Sequence, residues 1–173
     1  DPHSAQPEEL PDNAGHSDKG VLQQIAPELA FWDKPRTLFL HNAMTGERIR
    51  ATYFEDGKFN SDEYWKICAL LRDWRQNKMT TMDPGLLDVL RGIQGFYEQA
   101  GYHKPIIINS AFRTQKTNKM LAGEGSARNS QHLYGKACDI RIEGVKTSDL
   151  ARLGVYFQKG GVGFYQSKGF VHL

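Results

Sequence analysis

Residues 130–142 read SQHLYGKACDIRI, and this stretch decides what the rest of the chain is expected to form. Apolar and polar side chains alternate through KACDIRI, which predicts a β-strand. The apolar side chains share one face of that strand, whereas Asp139 lies on the other face between apolar neighbours in the sequence. A carboxylate in such a setting usually has a cation or a metal ion as its partner. The strand therefore predicts a charged site as well as a piece of sheet.

Two histidines join Asp139 as candidate site residues. His132 lies in the loop that leads into the predicted strand, and His172 lies in the apolar segment GFVHL at residues 169–173. Two imidazoles and a carboxylate suit Zn²⁺, and three protein ligands leave a fourth position for water, as in catalytic zinc sites. The residues also allow a simpler interpretation. His132 is then a loop residue, Asp139 is the ion-pair partner of Arg113 or Arg141, and His172 is a hydrogen-bonded core residue.

The cysteines offer a weaker hypothesis. Cys138 and His132 together would make a nucleophilic pair, but Cys138 falls on the apolar face of its strand, which favours a buried thiol. Cys68 and Cys138 have no C-x-x-C spacing, so the sequence predicts no cysteine zinc site and does not establish a disulfide.

The surrounding sequence predicts the other elements. TLFLHN and RIRATYF flank the turn AMTGE and predict a β-hairpin. One helix is predicted from a cap at Ser61 to about Gln76, and another from Asp83-Pro84 to Gly101. Short strands are predicted at PIIIN, GVGFY and GFVHL, with helices between them. The pattern favours an α+β fold in which a small, mainly antiparallel sheet has flanking helices.

Composition restricts the class of protein. The chain has 173 residues, of which 39% are hydrophobic and 24% charged, as expected for one globular domain. It contains no apolar run of the roughly 20 residues that a membrane span needs. The net charge of +2 conceals an acidic first hundred residues, with 16 Asp/Glu against 11 Lys/Arg. The remaining residues carry 11 Lys/Arg against 4 Asp/Glu, so this half is expected to attract an anionic partner.

The combination of SAFR, SQHLYGKACDIRI and the late GFVHL resembles the zinc D,D-peptidases that share a fold with hedgehog signalling domains. It is most similar to their MepK-like murein endopeptidase branch. The resemblance covers roughly residues 35–173 and implies a zinc peptidase domain there, after a flexible N-terminal lead-in at residues 1–34. It implies a metal-activated water mechanism that hydrolyses amide bonds in peptidoglycan cross-links.

The resemblance also implies roles for individual residues. His132, Asp139 and His172 match the family's zinc ligands, and Arg113 matches the arginine that faces the substrate carbonyl or the tetrahedral intermediate. Ser130 matches a serine that helps to orient the substrate. Related carboxypeptidases carry a general base two or three residues before the last ligand, where this chain has phenylalanine and glycine. The resemblance therefore assigns no general base here.

The implied partner is the stem peptide of peptidoglycan, and the implied location is the periplasm or cell envelope, after removal of a signal peptide. The expected state is a monomer that has no membrane span and binds no nucleic acid. The alternative interpretation is a non-catalytic, zinc-containing module on the same fold, which would bind or regulate the cell wall.

Overall fold

The structure, a computed structural model, describes residues 32–122 and 128–173. The lead-in predicted at residues 1–34 lies almost wholly outside this part of the chain, so that boundary stays a prediction. In the described part, helices pack against a single mixed sheet. No helix in these residues is long and apolar enough to cross a membrane.

The sheet has seven strands, in chain order β1 (Arg36–Asn42), β2 (Arg48–Glu55), β3 (Lys58–Phe59), β4 (Ile106–Ser110), β5 (Asp139–Arg141), β6 (Gly163–Tyr165) and β7 (Phe170–His172). Their order across the sheet is β3-β2-β1-β4-β5-β7-β6. Every neighbouring pair is antiparallel except β1 and β4, which run parallel. The α+β class and the mainly antiparallel pairing are confirmed, but the prediction of a small sheet was wrong. The sheet is larger because the β1–β2 hairpin joins the C-terminal strands through β4.

Within residues 32–122 and 128–173, the sheet is accompanied by the α-helices α1 (Ser61–Leu70), α2 (Pro84–Gln99), α3 (Gln115–Leu121) and α4 (Thr147–Tyr156). Asp83 caps α2 as predicted, since its side chain accepts from the amides of the first turn. The prediction for α1 was wrong at both ends. Asn60 rather than Ser61 is the cap, and its Oδ1 accepts a hydrogen bond from Glu63 N. The helix ends at Leu70 because the chain then turns into a loop that is closed by backbone bonds between Asp73 and Lys78.

The core lies between the helices and one face of the sheet. It is built from apolar side chains of every strand except β3, together with those of α1, α2 and α4. One buried polar residue ties a helix to the sheet: Gln94 of α2 accepts from Phe39 N at 2.8 Å and donates to Phe39 O at 3.0 Å. Phe39 thereby keeps backbone partners at a point on β1 that the short parallel pairing with β4 does not reach.

The C-terminal half of the sheet positions the predicted site residues. Strands β5 and β7 are neighbours, and Asp139 is paired directly with His172 across them. A short 3₁₀ helix, Gln131–Tyr134, precedes β5 and carries His132. Three of the predicted residues therefore meet at one end of the sheet, although they come from separate parts of the sequence.

Candidate metal centre

The side chains of His132, Asp139 and His172 converge on one point. His172 Nδ1 lies 2.8 Å from Asp139 Oδ1, and His132 Nε2 lies 3.3 Å from the same oxygen. The two ring nitrogens, His132 Nε2 and His172 Nδ1, are 3.2 Å apart. His132 and Asp139 are buried, whereas the His172 side chain is 30% exposed. Solvent therefore reaches the cluster mainly at His172.

Local sequence explains how His132 reaches this point. Ser130 caps the 3₁₀ helix that carries His132, and Gly135 ends the helix in the left-handed conformation at φ 65°. A Cβ atom at Gly135 would lie 2.5 Å from the carbonyl oxygen of Thr81, so only glycine fits this turn. The turn then directs the chain into β5, where Asp139 begins the strand.

A backbone contact fixes the tautomer of His132. Its Nδ1 lies 2.6 Å from the carbonyl oxygen of Ala111, an atom that can only accept a hydrogen bond. The proton therefore sits on Nδ1, and the lone pair of Nε2 points toward Asp139 and His172. Metal-binding histidines commonly have such an outer hydrogen bond, which fixes the ring orientation.

The cluster fits a tetrahedral metal ion. Nitrogen and oxygen ligands at zinc-like bond lengths are separated by about 3.3 Å along a tetrahedron edge. The three observed separations, 2.8, 3.2 and 3.3 Å, are close to this value. The donor set of two imidazoles and one carboxylate is also the kind that zinc binds in proteins. These residues could hold a metal ion, and they are the one such group of ligands found among the described residues.

The electrostatics keep the ligands in their metal-binding forms. Burial lowers the pKa of His132, which favours the neutral imidazole. Burial alone would raise the pKa of Asp139, but the charge and hydrogen bonds that His132 and His172 supply when protonated outweigh burial, so this pKa lies well below its usual range. A neutral imidazole and an ionised carboxylate are the forms that bind a cation.

Arg113 contacts the same carboxylate from the other side. Its Nη2 lies 2.9 Å from Asp139 Oδ2, and its Nε donates to Ser110 Oγ at 2.8 Å. The alternative in which Asp139 pairs with Arg113 is therefore confirmed, but it does not exclude a metal. One carboxylate oxygen binds the guanidinium group while the other, Oδ1, points into the histidine cluster.

The other residues that the sequence analysis singled out lie outside the histidine and aspartate cluster. Ser130 is buried, and its hydroxyl accepts a long hydrogen bond of 3.4 Å from His132 N. Phe170 stacks on Tyr165 with 4.7 Å between ring centroids, and Gly169 forms a left-handed turn. Cys138 is fully buried, and burial raises the pKa of its thiol. Burial and a raised pKa argue against a thiolate nucleophile at Cys138. Both cysteines are free.

An open cleft of about 700 Å³ reaches the cluster at His172. Lys136 and Lys159 contribute its cationic side chains, and Gly160, Gly161 and Gly163 form a backbone-lined part of the wall. Sequence reasoning did not identify this cleft. The run KGGVG around residue 160 is a usable signal, because consecutive glycines let a ligand approach the backbone closely.

Comparison with known proteins identifies the family of the chain. The family model Peptidase_M15_2, described as peptidoglycan L,D-endopeptidase MepK, matches residues 31–173. Peptidoglycan L,D-endopeptidase MepK of Escherichia coli K12 is 37% identical over 142 residues, which cover 81% of this chain and 76% of that protein. A probable MepK of Haemophilus influenzae is 33% identical over 142 residues, or 81% of this chain and 75% of that protein. No solved structure gave a significant match.

Proposed function

The chain belongs to the peptidoglycan L,D-endopeptidase MepK family, and on this basis we propose that it is a zinc-dependent murein peptidase. It hydrolyses amide bonds in the peptide cross-links of peptidoglycan. The observation that carries the proposal is the convergence of His132 Nε2, Asp139 Oδ1 and His172 Nδ1 on one point, with separations of 2.8–3.3 Å. The peptidase domain corresponds to residues 35–173.

His132, Asp139 and His172 would hold the zinc ion. When bound, zinc polarises the scissile carbonyl and makes water a nucleophile near neutral pH. The protein keeps this site ready for the metal, because Ala111 O fixes the His132 tautomer and the β5–β7 pairing sets Asp139 opposite His172. The exposed side of His172 leaves room for the substrate.

Arg113 has two functions in this proposal. Through its bond to Asp139 Oδ2 it orients the carboxylate so that Oδ1 faces the metal position. Its positive charge, next to the cluster, also stabilises the negative charge that develops on the carbonyl oxygen in the transition state. Ser130 is a positioning residue, since it is buried and bonds to the backbone of His132.

The cleft beside His172 receives the substrate. Its volume of about 700 Å³ is ample for several residues of an extended peptide. Lys136 and Lys159 outnumber Asp83, the one acidic side chain that the described residues place in its wall, and this positive excess suits an acidic stem peptide. Because peptidoglycan is part of the cell envelope, a protein that cleaves it acts there. We assign the protein to the periplasm and expect a monomer.

Digestion of purified sacculi, followed by separation of the muropeptides, tests the function. The protein with added zinc is expected to release cross-link cleavage products, and a chelator is expected to stop the release. His132→Ala and Asp139→Ala should be inactive, whereas His103→Ala is the matched control, because His103 is exposed and lies outside the cluster. Binding to sacculi without any product would instead favour the non-catalytic module. Full activity in either cluster variant would refute the assignment of the ligands.

A further inference from the structure

The loop between α1 and α2 carries an exposed aromatic residue with a cation on it. Trp74 is 38% exposed, and the guanidinium carbon of Arg75 lies 4.5 Å from the centroid of the Trp74 ring. Arg75 is exposed as well. This stacking orders the guanidinium group while leaving its N–H donors free to bind a ligand.

Buried Asp73 holds the loop in place. It is only 3% exposed, and its Oδ1 accepts hydrogen bonds from Arg75 N at 3.1 Å and Gln76 N at 3.3 Å. Its Oδ2 accepts from Thr114 N at 2.9 Å and Thr114 Oγ1 at 2.8 Å. The backbone of Asp73 also exchanges hydrogen bonds with Lys78. One carboxylate thus fixes the backbone of Arg75 relative to Thr114, the residue that follows Arg113.

This arrangement places Arg75 beside the candidate active site. Trp74, Arg75 and Arg113 line one narrow cleft together with Ser110. Arg113 in turn contacts Asp139 Oδ2 through its Nη2 at 2.9 Å, so this cleft lies next to the candidate metal centre.

Arg75 has no anionic partner among residues 32–122 and 128–173. Its neighbour Arg72 forms an ion pair with Glu47 at 2.8 Å, but no ion pair involves Arg75. Asp73 does not take this role, since its oxygens already accept bonds from backbone amides and from Thr114. An ordered guanidinium group without a carboxylate, next to a second one, is suited to bind a carboxylate ligand.

We propose that Arg75, supported by Trp74 and fixed by Asp73, binds a free carboxylate of the stem peptide and helps to determine substrate specificity. The inference rests on the proposed function, because the stem peptide supplies that carboxylate. Arg75 shares a narrow cleft with Arg113, which contacts Asp139, whereas the cleft of about 700 Å³ opens at His172. In this proposal the substrate contacts both the narrow cleft of Arg75 and the larger cleft at His172.

Steady-state kinetics with two soluble cross-linked peptides test the proposal. The peptides are identical except that one has free carboxylates and the other has carboxamides. For the carboxylate peptide, Arg75→Ala should raise KM by about 10-fold or more, with kcat changed by less than about 2-fold, because a charged hydrogen bond is lost from binding. For the carboxamide peptide, wild type and Arg75→Ala should have the same KM.

Lys58→Ala is the matched control. It removes the same charge from an exposed position on β3, at the far edge of the sheet from β6, and should leave KM for both peptides unchanged. An equal effect of Arg75→Ala on both peptides, or no effect on either, would overturn the proposal. So would an equal rise in KM for Lys58→Ala, since the effect would then come from net charge.

A binding measurement separates this proposal from the proposed function. Calorimetry with a stem tetrapeptide and with its carboxamide analogue requires no turnover. Wild type should bind the carboxylate form at least about 10-fold more tightly, and Arg75→Ala should lose this preference. If wild type cleaves neither cross-linked peptide but keeps the preference, the proposed hydrolysis fails and the carboxylate site stands. If wild type cleaves the cross-linked peptides but has no preference for the carboxylate form, the proposed hydrolysis stands and the carboxylate site fails.

Discussion

Zinc should raise the thermal stability of this protein by an amount that can be worked out in advance. The proposed ligands His132 and His172 are 40 residues apart, so the unfolded chain does not assemble the site, and zinc is expected to bind mainly the folded state. At a free zinc concentration of about 100 times Kd, such binding stabilises the fold by about 2.7 kcal/mol. For a chain of this size, 1 kcal/mol corresponds to roughly 2–4 °C. The expected rise in Tm is therefore about 5–11 °C.

Differential scanning fluorimetry over a zinc titration measures this rise, and His172→Ala is the variant of choice. The His172 side chain is 30% exposed, so its removal disturbs the packing less than the loss of buried His132, which would also leave Ala111 O unpaired. The variant should fold and yet lose the zinc-dependent rise, whereas the exposed-histidine control His103→Ala should keep it. Mg²⁺ should have little effect, since it prefers an octahedral set of oxygen ligands. A full rise in His172→Ala, or none in wild type under saturating zinc, would refute the metal site.

Three further changes test the cleft, the core and the loop. Gly161→Trp should stop the digestion of sacculi but leave Tm and zinc binding unchanged, because no atom lies within 4 Å of a Cβ at Gly161 and the side chain would enter the cleft. Gly161→Ala is the control. An active tryptophan variant would contradict the role of the cleft in substrate binding. Leu40→Ala, at a fully buried position, should lower the free energy of unfolding by about 2–5 kcal/mol in urea titration, and a loss below about 1 kcal/mol would contradict the packing. Burial alone would raise the pKa of Asp73, but hydrogen bonds from Thr117 and Thr114 lower it below its usual value. Its stabilising contribution is thus present above the unfolded pKa of about 3.9 and lost as the pH falls through the lower folded value. Wild type should therefore lose stability more steeply than Asp73→Asn below about pH 4, and parallel curves would count against this role.

Local patterns in the sequence predicted the elements of the fold well where the signal is itself local. The Asp83-Pro84 cap fixes the start of α2, and apolar alternation identifies the hairpin of β1 and β2. The pairing of β1 with β4 was not predictable in this way, because it joins residues more than 60 positions apart in the chain. For the same reason the size of the sheet was underestimated.

In the candidate site, too, some features could be predicted from the sequence and others could not. The three proposed ligands were selected from residue type and from family resemblance, and the structure brings them together. The contacts that orient them were not predictable. Ala111 O acts on His132 through a backbone atom, which carries no sequence signal. Asp73 looked like an ordinary polar residue in a helix, because the predicted helix ran six residues too far and concealed the loop that Asp73 anchors.

The register of β5 and β7 has a consequence for the order of events during synthesis. Asp139 and His172 are cross-strand partners, and β7 follows every other strand of the sheet in the chain. At about 5–20 residues per second, the ribosome needs roughly 2–7 s to add the 33 residues that separate these two ligands. Throughout that interval the nascent chain holds at most two of the three proposed ligands. A slip of one residue between the strands would turn the two side chains to opposite faces of the sheet. A metal site built from these residues is therefore complete only once β7 has been made and correctly aligned with β5.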